Sequence, residues 1–196
     1  CGGVVGWQGG GMPQLTTPTA RVRTSFLKAM REFADENDAW FNGNSMISEE
    51  IRRYGDVWEE PEGFAGYVAD VVAAADPATE RPAGWVPATV LWYVEGDEWL
   101  GRLAIRHAYT PHLLEYGGIV GYEVRPSARR RGHATAMLRA ALPVAARLGF
   151  ERVLVTCDHD NTGSRKVIEA CGGVFDDQRG VKLRYWVPTG GPSPAG

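Results

Sequence analysis

The sequence predicts an α/β fold in a single domain, and three patterns carry that expectation. Short runs with alternating apolar residues, as in residues 89–95 and 181–187, are interleaved with longer stretches whose apolar residues recur every three or four positions, as in 23–37 and 128–148. A strand-like run ending at Arg125-Pro126 passes through a basic, glycine-containing turn straight into the second of these stretches. The chain has 196 residues and 44% hydrophobic content, enough for one proper core, and no segment approaches the roughly 20 apolar residues of a membrane span.

Taken in order, residues 1–17 read as a flexible leader: positions 1–11 are glycine-rich, there is no initiator Met, and no signal peptide is evident, so the domain proper is expected from about Met12 or Pro18. Residues 23–37 carry Phe26, Leu27, Met30, Phe33 and Ala34 at helical spacing, and residues 64–75 carry Tyr67, Val68, Val71, Val72 and Ala75 likewise. Residues 76–87, with three prolines and a glycine, form a loop. Residues 89–95 and 98–107 form a hairpin about Gly96-Asp97, and 117–124 the next strand. A helix is predicted over 128–148, with Met137, Leu138, Ala141, Leu142, Ala145 and Leu148 on one face and a kink at Pro143. After a strand at 152–156, Asn161 caps a helix that runs to Cys171 and stops at Gly172-Gly173. A last strand covers 181–187, and 188–196 read as a disordered tail.

The turn between the strand ending at Val124 and the helix beyond it holds the densest chemistry. Arg129, Arg130 and Arg131 sit where a helix begins, the end whose partial positive charge least favours cations, so an anion is expected there. Gly132 lets the backbone approach such a ligand closely, and the orphan amides of the first turn point outward as donors. The pattern fits a pyrophosphate cradle better than a solvated basic turn.

These residues resemble the signature of the GNAT superfamily of N-acetyltransferases. Its [QR]-x-x-G-x-[GA] loop is matched by Arg129, Gly132 and Ala134, and its following strand, N-x-x-[AS] helix and closing glycine by residues 152–156, Asn161, Ser164 and Gly172. Gly121-Tyr122-Glu123-Val124-Arg125-Pro126-Ser127, Thr156-Cys157-Asp158, Asp160-Asn161, Val167-Ile168-Glu169 and Gly172-Gly173-Val174 look like a bacterial branch of predicted acetyltransferases. The resemblance covers 18–187 and is strongest from Gly101 onward. It implies a central mixed, mostly antiparallel sheet with two splayed strands, and acetyl-CoA as the acetyl donor. It also implies pantetheine along the strand ending at Val124, whose free amide polarises the thioester, with Arg125 and Pro126 at the strand end. Pyrophosphate falls on Arg129, Arg130, Arg131, Gly132, His133, Ala134 and Thr135, and Asn161 and Ser164 approach from the second helix.

Acetyl transfer needs an oriented donor, a polarised carbonyl, a neutral amine and a proton for the departing thiolate. Many members of the family supply that proton from a Tyr seven positions after the Asn; here the position is Ile168. Tyr122 and Glu123 lie on the strand nearest the thioester, and strand alternation sends them to opposite faces. Glu123 is the candidate base and Tyr122 a candidate acid, with water as the alternative for either.

Other groups point less sharply. His107, Tyr109, His112, Glu115 and Tyr116 form a polar-aromatic stretch that suits either an acceptor pocket or a connecting loop, and Trp85, Trp92 and Trp99 suit packing. Cys157 and Cys171 suit core positions, and three cysteines without ligand spacing predict a reducing cytoplasm and no metal. A net charge of -3 argues against bulk nucleic-acid binding, and no membrane partner is expected. The expected acceptor is a small-molecule primary amine, with a protein or peptide amine or a non-catalytic acyl-CoA sensor as alternatives; a homodimer is compatible with the sequence.

Overall fold

The computed structural model describes residues 11–36 and 46–190. Its strands are β1 (Gln14–Thr16), β2 (Ala88–Glu95), β3 (Glu98–Arg106), β4 (Val120–Val124), β5 (Arg152–Asp158), β6 (Val174–Arg179) and β7 (Lys182–Pro188). Its helices are α1 (Arg23–Asp35), α2 (Met46–Tyr54), α3 (Pro61–Ala73), α4 (His133–Arg147) and α5 (Thr162–Ala170), with a π-helical turn at Leu113–Gly117.

The strands form two antiparallel sheets, β1-β2-β3-β4 and β5-β7-β6. Alternation along β2 and β3 gives the first sheet two apolar faces. Trp92, Val94 and Trp99 pack with Phe26 and Phe33 of α1, Ile47 of α2 and Phe64 and Tyr67 of α3. Tyr93, Leu103 and Ile105 pack on the other face with Met137, Leu138 and Ala141 of α4. The central sheet is therefore covered on both sides, and the splayed, mostly antiparallel arrangement implied by the family resemblance is what the chain adopts.

The two sheets meet at one end of β4 and β5. Ile119 N donates to Leu154 O at 2.7 Å, and Thr156 Oγ1 donates to Tyr116 O at 2.8 Å. Gly118, at φ 64°, permits this approach, because a Cβ there would stand 2.8 Å from Leu154 O. Beyond this junction β4 and β5 form no ladder, and a cleft opens between them.

Several boundaries differ from the expectation. Gln14–Thr16, read as leader, pairs with Trp92–Val94 as an edge strand of the first sheet. Pro188, read as the start of the tail, ends β7, and Thr189 Oγ1 donates to Phe150 O at 2.6 Å. The α4 helix starts at His133 rather than 128, because Pro126–Ala128 makes a separate 3-10 turn; it continues through Pro143 to Arg147. Helix α2 and strand β6 were not anticipated. Residues 1–10, the last predicted residue of the first helix at 37, and 191–196 lie outside the described residues. No described helix is long and apolar enough to cross a membrane.

Candidate active site

The register of β4 on β3 decides which backbone groups face the cleft. Arg106 N donates to Ile119 O and Arg125 N to Leu100 O, both at 2.9 Å, which makes positions 119, 121, 123 and 125 the ones bonded to β3. The amides of Tyr122 and Val124 therefore turn away from β3, toward the side on which the sheets part. Consistent with this, Val124 O accepts from Arg129 Nε at 3.1 Å rather than from a β3 amide.

Side chains follow the same alternation, as the sequence predicts for Tyr122 and Glu123. Tyr122 points to the α5 face, where its hydroxyl meets Ser164 Oγ at 2.8 Å, and burial pushes the phenol well above its ordinary pKa, further than the Ser164 hydrogen bond lowers it. Glu123 points to the α1–α3 face, where Oε1 accepts from the Ile47 amide in the first turn of α2 at 3.5 Å. Behind it, buried Arg102 pairs with Glu50 of α2, whose carboxylate also accepts from Tyr67 Oη at 2.8 Å. Burial works against the charge of Arg102, but the carboxylates of Glu50 and Glu123 more than offset it and hold the guanidinium firmly protonated.

The cleft has a volume of about 230 Å³ and brings together Tyr122, Glu123, Asn161 and Ser164. Asn161 caps α5, with Oδ1 accepting from Ser164 N at 2.9 Å, so its capping role and its place at the cleft hold together. Met46, Arg106, Gly121, Asp158 and Lys182 also line it, and sequence reasoning gave none of these a role at the site. The signal for α2 was present, since Ile47, Ile51 and Tyr54 recur at helical spacing.

At the other end of β4 the basic turn is built differently from the expectation. Arg125 is committed to α1 and the hairpin, with Nη2 at 2.6 Å from Glu32 Oε1 and Nη1 at 3.1 Å from Glu98 Oε2. Arg129 pairs with Glu36 Oε1 at 2.7 Å. Neither guanidinium faces an incoming anion, because each satisfies a nearby carboxylate. The Pro126 turn is held by Ser127 N on Glu32 Oε2 at 3.0 Å. Arg130 and Arg131 are exposed and make no ion pair among the described residues. His133 is 9% exposed; its ring lies against Tyr93 at 5.7 Å, and burial, with Arg131 second, lowers its pKa. Its side chain therefore belongs to the core.

What the turn offers an anion is mainly backbone. Gly132, at φ 84°, caps α4, and a Cβ built there meets nothing within 4 Å, so its outer side is open. The amides of His133, Ala134 and Thr135 follow as the unpaired first turn of a helix of 15 residues. These donors fit the pyrophosphate of a CoA thioester.

Of the remaining candidates, Trp85 is exposed rather than packed, and Tyr116 is exposed as well. Ile168 is fully buried, and so are Trp92 and Trp99. His107 Nε2 lies 2.8 Å from Thr89 Oγ1, Tyr109 packs on Phe150 and Trp186, and Glu115 pairs with Arg179. Cys157 and Cys171 are buried free thiols.

Comparison with known proteins agrees with this geometry. The acetyltransferase (GNAT) domain family matches residues 29–174. A search of curated protein sequences returns no match. Among solved structures, RimJ of Mycobacterium smegmatis with a CoA disulfide superposes with a TM-score of 0.62 at 16% identity, covering 90% of this chain and 81% of that one. The ribosomal L7/L12 α-N-protein acetyltransferase RimL with coenzyme A gives 0.59 at 16% identity, covering 90% and 93%. The microcin C7 self-immunity acetyltransferase MccE with acetyl-CoA and AMP gives 0.59 at 10% identity, covering 90% and 92%. A two-sheet frame parted at β4 and β5, a glycine-capped α4 and a family match over most of the chain lead to one conclusion: the protein belongs to the GNAT family of acetyltransferases.

Proposed function

We propose that the protein transfers an acetyl group from acetyl-CoA to the primary amine of a small molecule, with the reaction seated in the cleft between β4 and β5. The observation that carries this reading is the outward amide of Val124, two residues along β4 from Tyr122, whose hydroxyl meets Ser164 at the cleft. A hydrogen-bond donor and a phenol then flank the point where a thioester lying along β4 ends. Complexes of similar fold with acetyl-CoA or CoA support the choice of donor, and the small volume of the cleft supports a small acceptor.

Chemically, the amine nitrogen attacks the thioester carbon, a C–N bond forms, and the C–S bond breaks. Val124 N–H holds the carbonyl oxygen as charge develops on it. Glu123, on the acceptor face, receives the proton lost by the amine. Tyr122, whose hydroxyl lies at the cleft against Ser164, gives a proton to the departing thiolate. Asn161 and Ser164 orient the pantetheine arm, and the first-turn amides of α4 bind the pyrophosphate, with Arg130 and Arg131 adding positive potential.

The test is release of free thiol from acetyl-CoA across a panel of small amines and peptides, with an acceptor-free control. Acceptor-dependent thiol release with small amines is the expected result. Release with peptides alone would move the acceptor to the peptide class, and tight acetyl-CoA binding without any release would make the protein an acyl-CoA sensor.

A further inference from the structure

On the acceptor face of the cleft stands a cation that no carboxylate of the described residues balances. Arg102 and Arg106 lie four residues apart on β3 and so share the face of the sheet that carries Glu123. Arg102 has its counter-charges in Glu50 and Glu123, and Lys182 pairs with Asp158 at 2.8 Å. Among the described residues Arg106 has only carbonyls: Nη1 donates to Gly118 O at 3.3 Å and to Gly117 O at 3.5 Å. Its Nη2 and Nε find no acceptor among the described residues, although a guanidinium carries five donors. Burial, with the positive charge of Arg102 second, works against its protonated form.

The cleft is shaped to expose this cation. Arg106 lines it alongside Met46, Gly121 and Glu123. Gly121 leaves the floor bare: a Cβ there would come within 3.0 Å of Met46 Cε and 3.8 Å of Arg106 Nη1. Glu123 sits two residues further along β4, roughly 7 Å away by strand rise. The acceptor face thus offers a carboxylate near the end of β4 where the Val124 amide lies, and a guanidinium deeper toward the junction.

From this pairing we infer that the acceptor is zwitterionic: an amine that also carries a carboxylate, the amine held by Glu123 near the thioester and the carboxylate held by Arg106. The inference rests on the transferase reading above and makes Arg106 the specificity-determining residue of the same site. A carboxylate completes the fork of Arg106 and relieves a desolvated charge, whereas a plain polyamine would set a second cation against it.

The experiment compares matched acceptors that differ only in the anion: an α-amino acid with its amide, and a dipeptide with Asp at its second position with the Asn counterpart. Free-thiol kinetics are measured for the wild type, R106Q and R106K, with thermal unfolding to confirm folding. For at least one pair, the carboxylate member should be favoured by about ten- to hundredfold in kcat/KM, mainly through KM. R106Q should erase that preference while sparing the amide, and R106K should restore part of it. Which pair responds tells a free amino acid from an acidic peptide. Equal use of acid and amide, or equal loss of both in R106Q, overturns the inference. If no acceptor is turned over, calorimetry on the CoA-loaded protein separates the two readings. Binding of the acid but not the amide, lost in R106Q, supports the anion site while removing the transferase reading, and binding of neither overturns the anion site.

Discussion

Tyr122 and Glu123 are neighbours in sequence with opposite proposed duties, and each makes a prediction. Tyr122→Phe removes the proposed proton source for the thiolate but keeps the packed ring. It is expected to lower kcat by about a hundredfold with little change in acetyl-CoA affinity, read from steady-state rates and calorimetry. Glu123→Gln should lower the acceptor-dependent rate by about two orders of magnitude and flatten the rising limb of the pH-rate profile. Because Oε1 also receives the Ile47 amide, thermal unfolding of the Gln protein must be measured alongside; wild-type kinetics in that protein would hand the deprotonation to water. Gly132 makes a third test. At φ 84° any side chain adds backbone strain, whereas open space around the missing Cβ means that nothing in the protein itself is struck. Gly132→Val should weaken CoA binding more than about tenfold. Gly132→Asn, which tolerates the left-handed region, should lose affinity while keeping its melting temperature, since its Cβ still meets the phosphate. Unchanged affinity in a folded Val protein would remove the phosphate assignment.

At the scale of elements, α5 shows how a family position can change its role. The residue seven places after Asn161 is Ile168, fully buried among core side chains, and a Cβ built on Gly173 would stand 2.5 Å from its Cγ2. There is no room for a phenol, so Ile168→Tyr should destabilise by about 1–3 kcal/mol through overpacking, without raising the rate. A faster enzyme at unchanged melting temperature would show that the position does reach the thioester. Helix α2 explains the site's other half. It was missed although Ile47, Ile51 and Tyr54 keep helical spacing, because nine residues give a short signal. Yet it supplies Glu50 to Arg102, an amide to Glu123 and Met46 to the cleft wall. The sequence marked the basic turn as a candidate anion site, but not the fate of its side chains: Arg125 and Arg129 find Glu32, Glu98 and Glu36 only because α1 and the hairpin pack beside the strand end.

For the molecule as a whole, His107 and His133 are both held neutral, chiefly by burial, with Arg81 and Arg131 as second causes. Their folded-state pKa values lie below that of the unfolded chain, so their contribution to stability is fully present above a pH of about 6.5 and is lost as pH falls through the folded values. The urea midpoint should therefore drop as pH falls below about 6.5, and a variant with both histidines changed to Gln should drop less; an identical fall in both proteins would remove the linkage. The sequence by itself determined what local chemistry encodes. Periodicity marked the hairpin about Gly96-Asp97, α1 and α3; Asn161 marked the start of α5; and the strand, basic turn and Gly132 marked the turn proposed to bind CoA. Alternation alone placed Tyr122 and Glu123 on opposite faces. Tertiary structure decided what depends on partners distant in the chain. Edge strands β1 and β6 are short and gain their identity from the ladders of β2 and β7, not from their own patterns. Whether an arginine is a free cation or half of an ion pair depends on which carboxylate the fold brings near. Arg129, in the motif, is spent on Glu36, while Arg106, outside any motif, is left facing the cleft because none of the described carboxylates is packed against it.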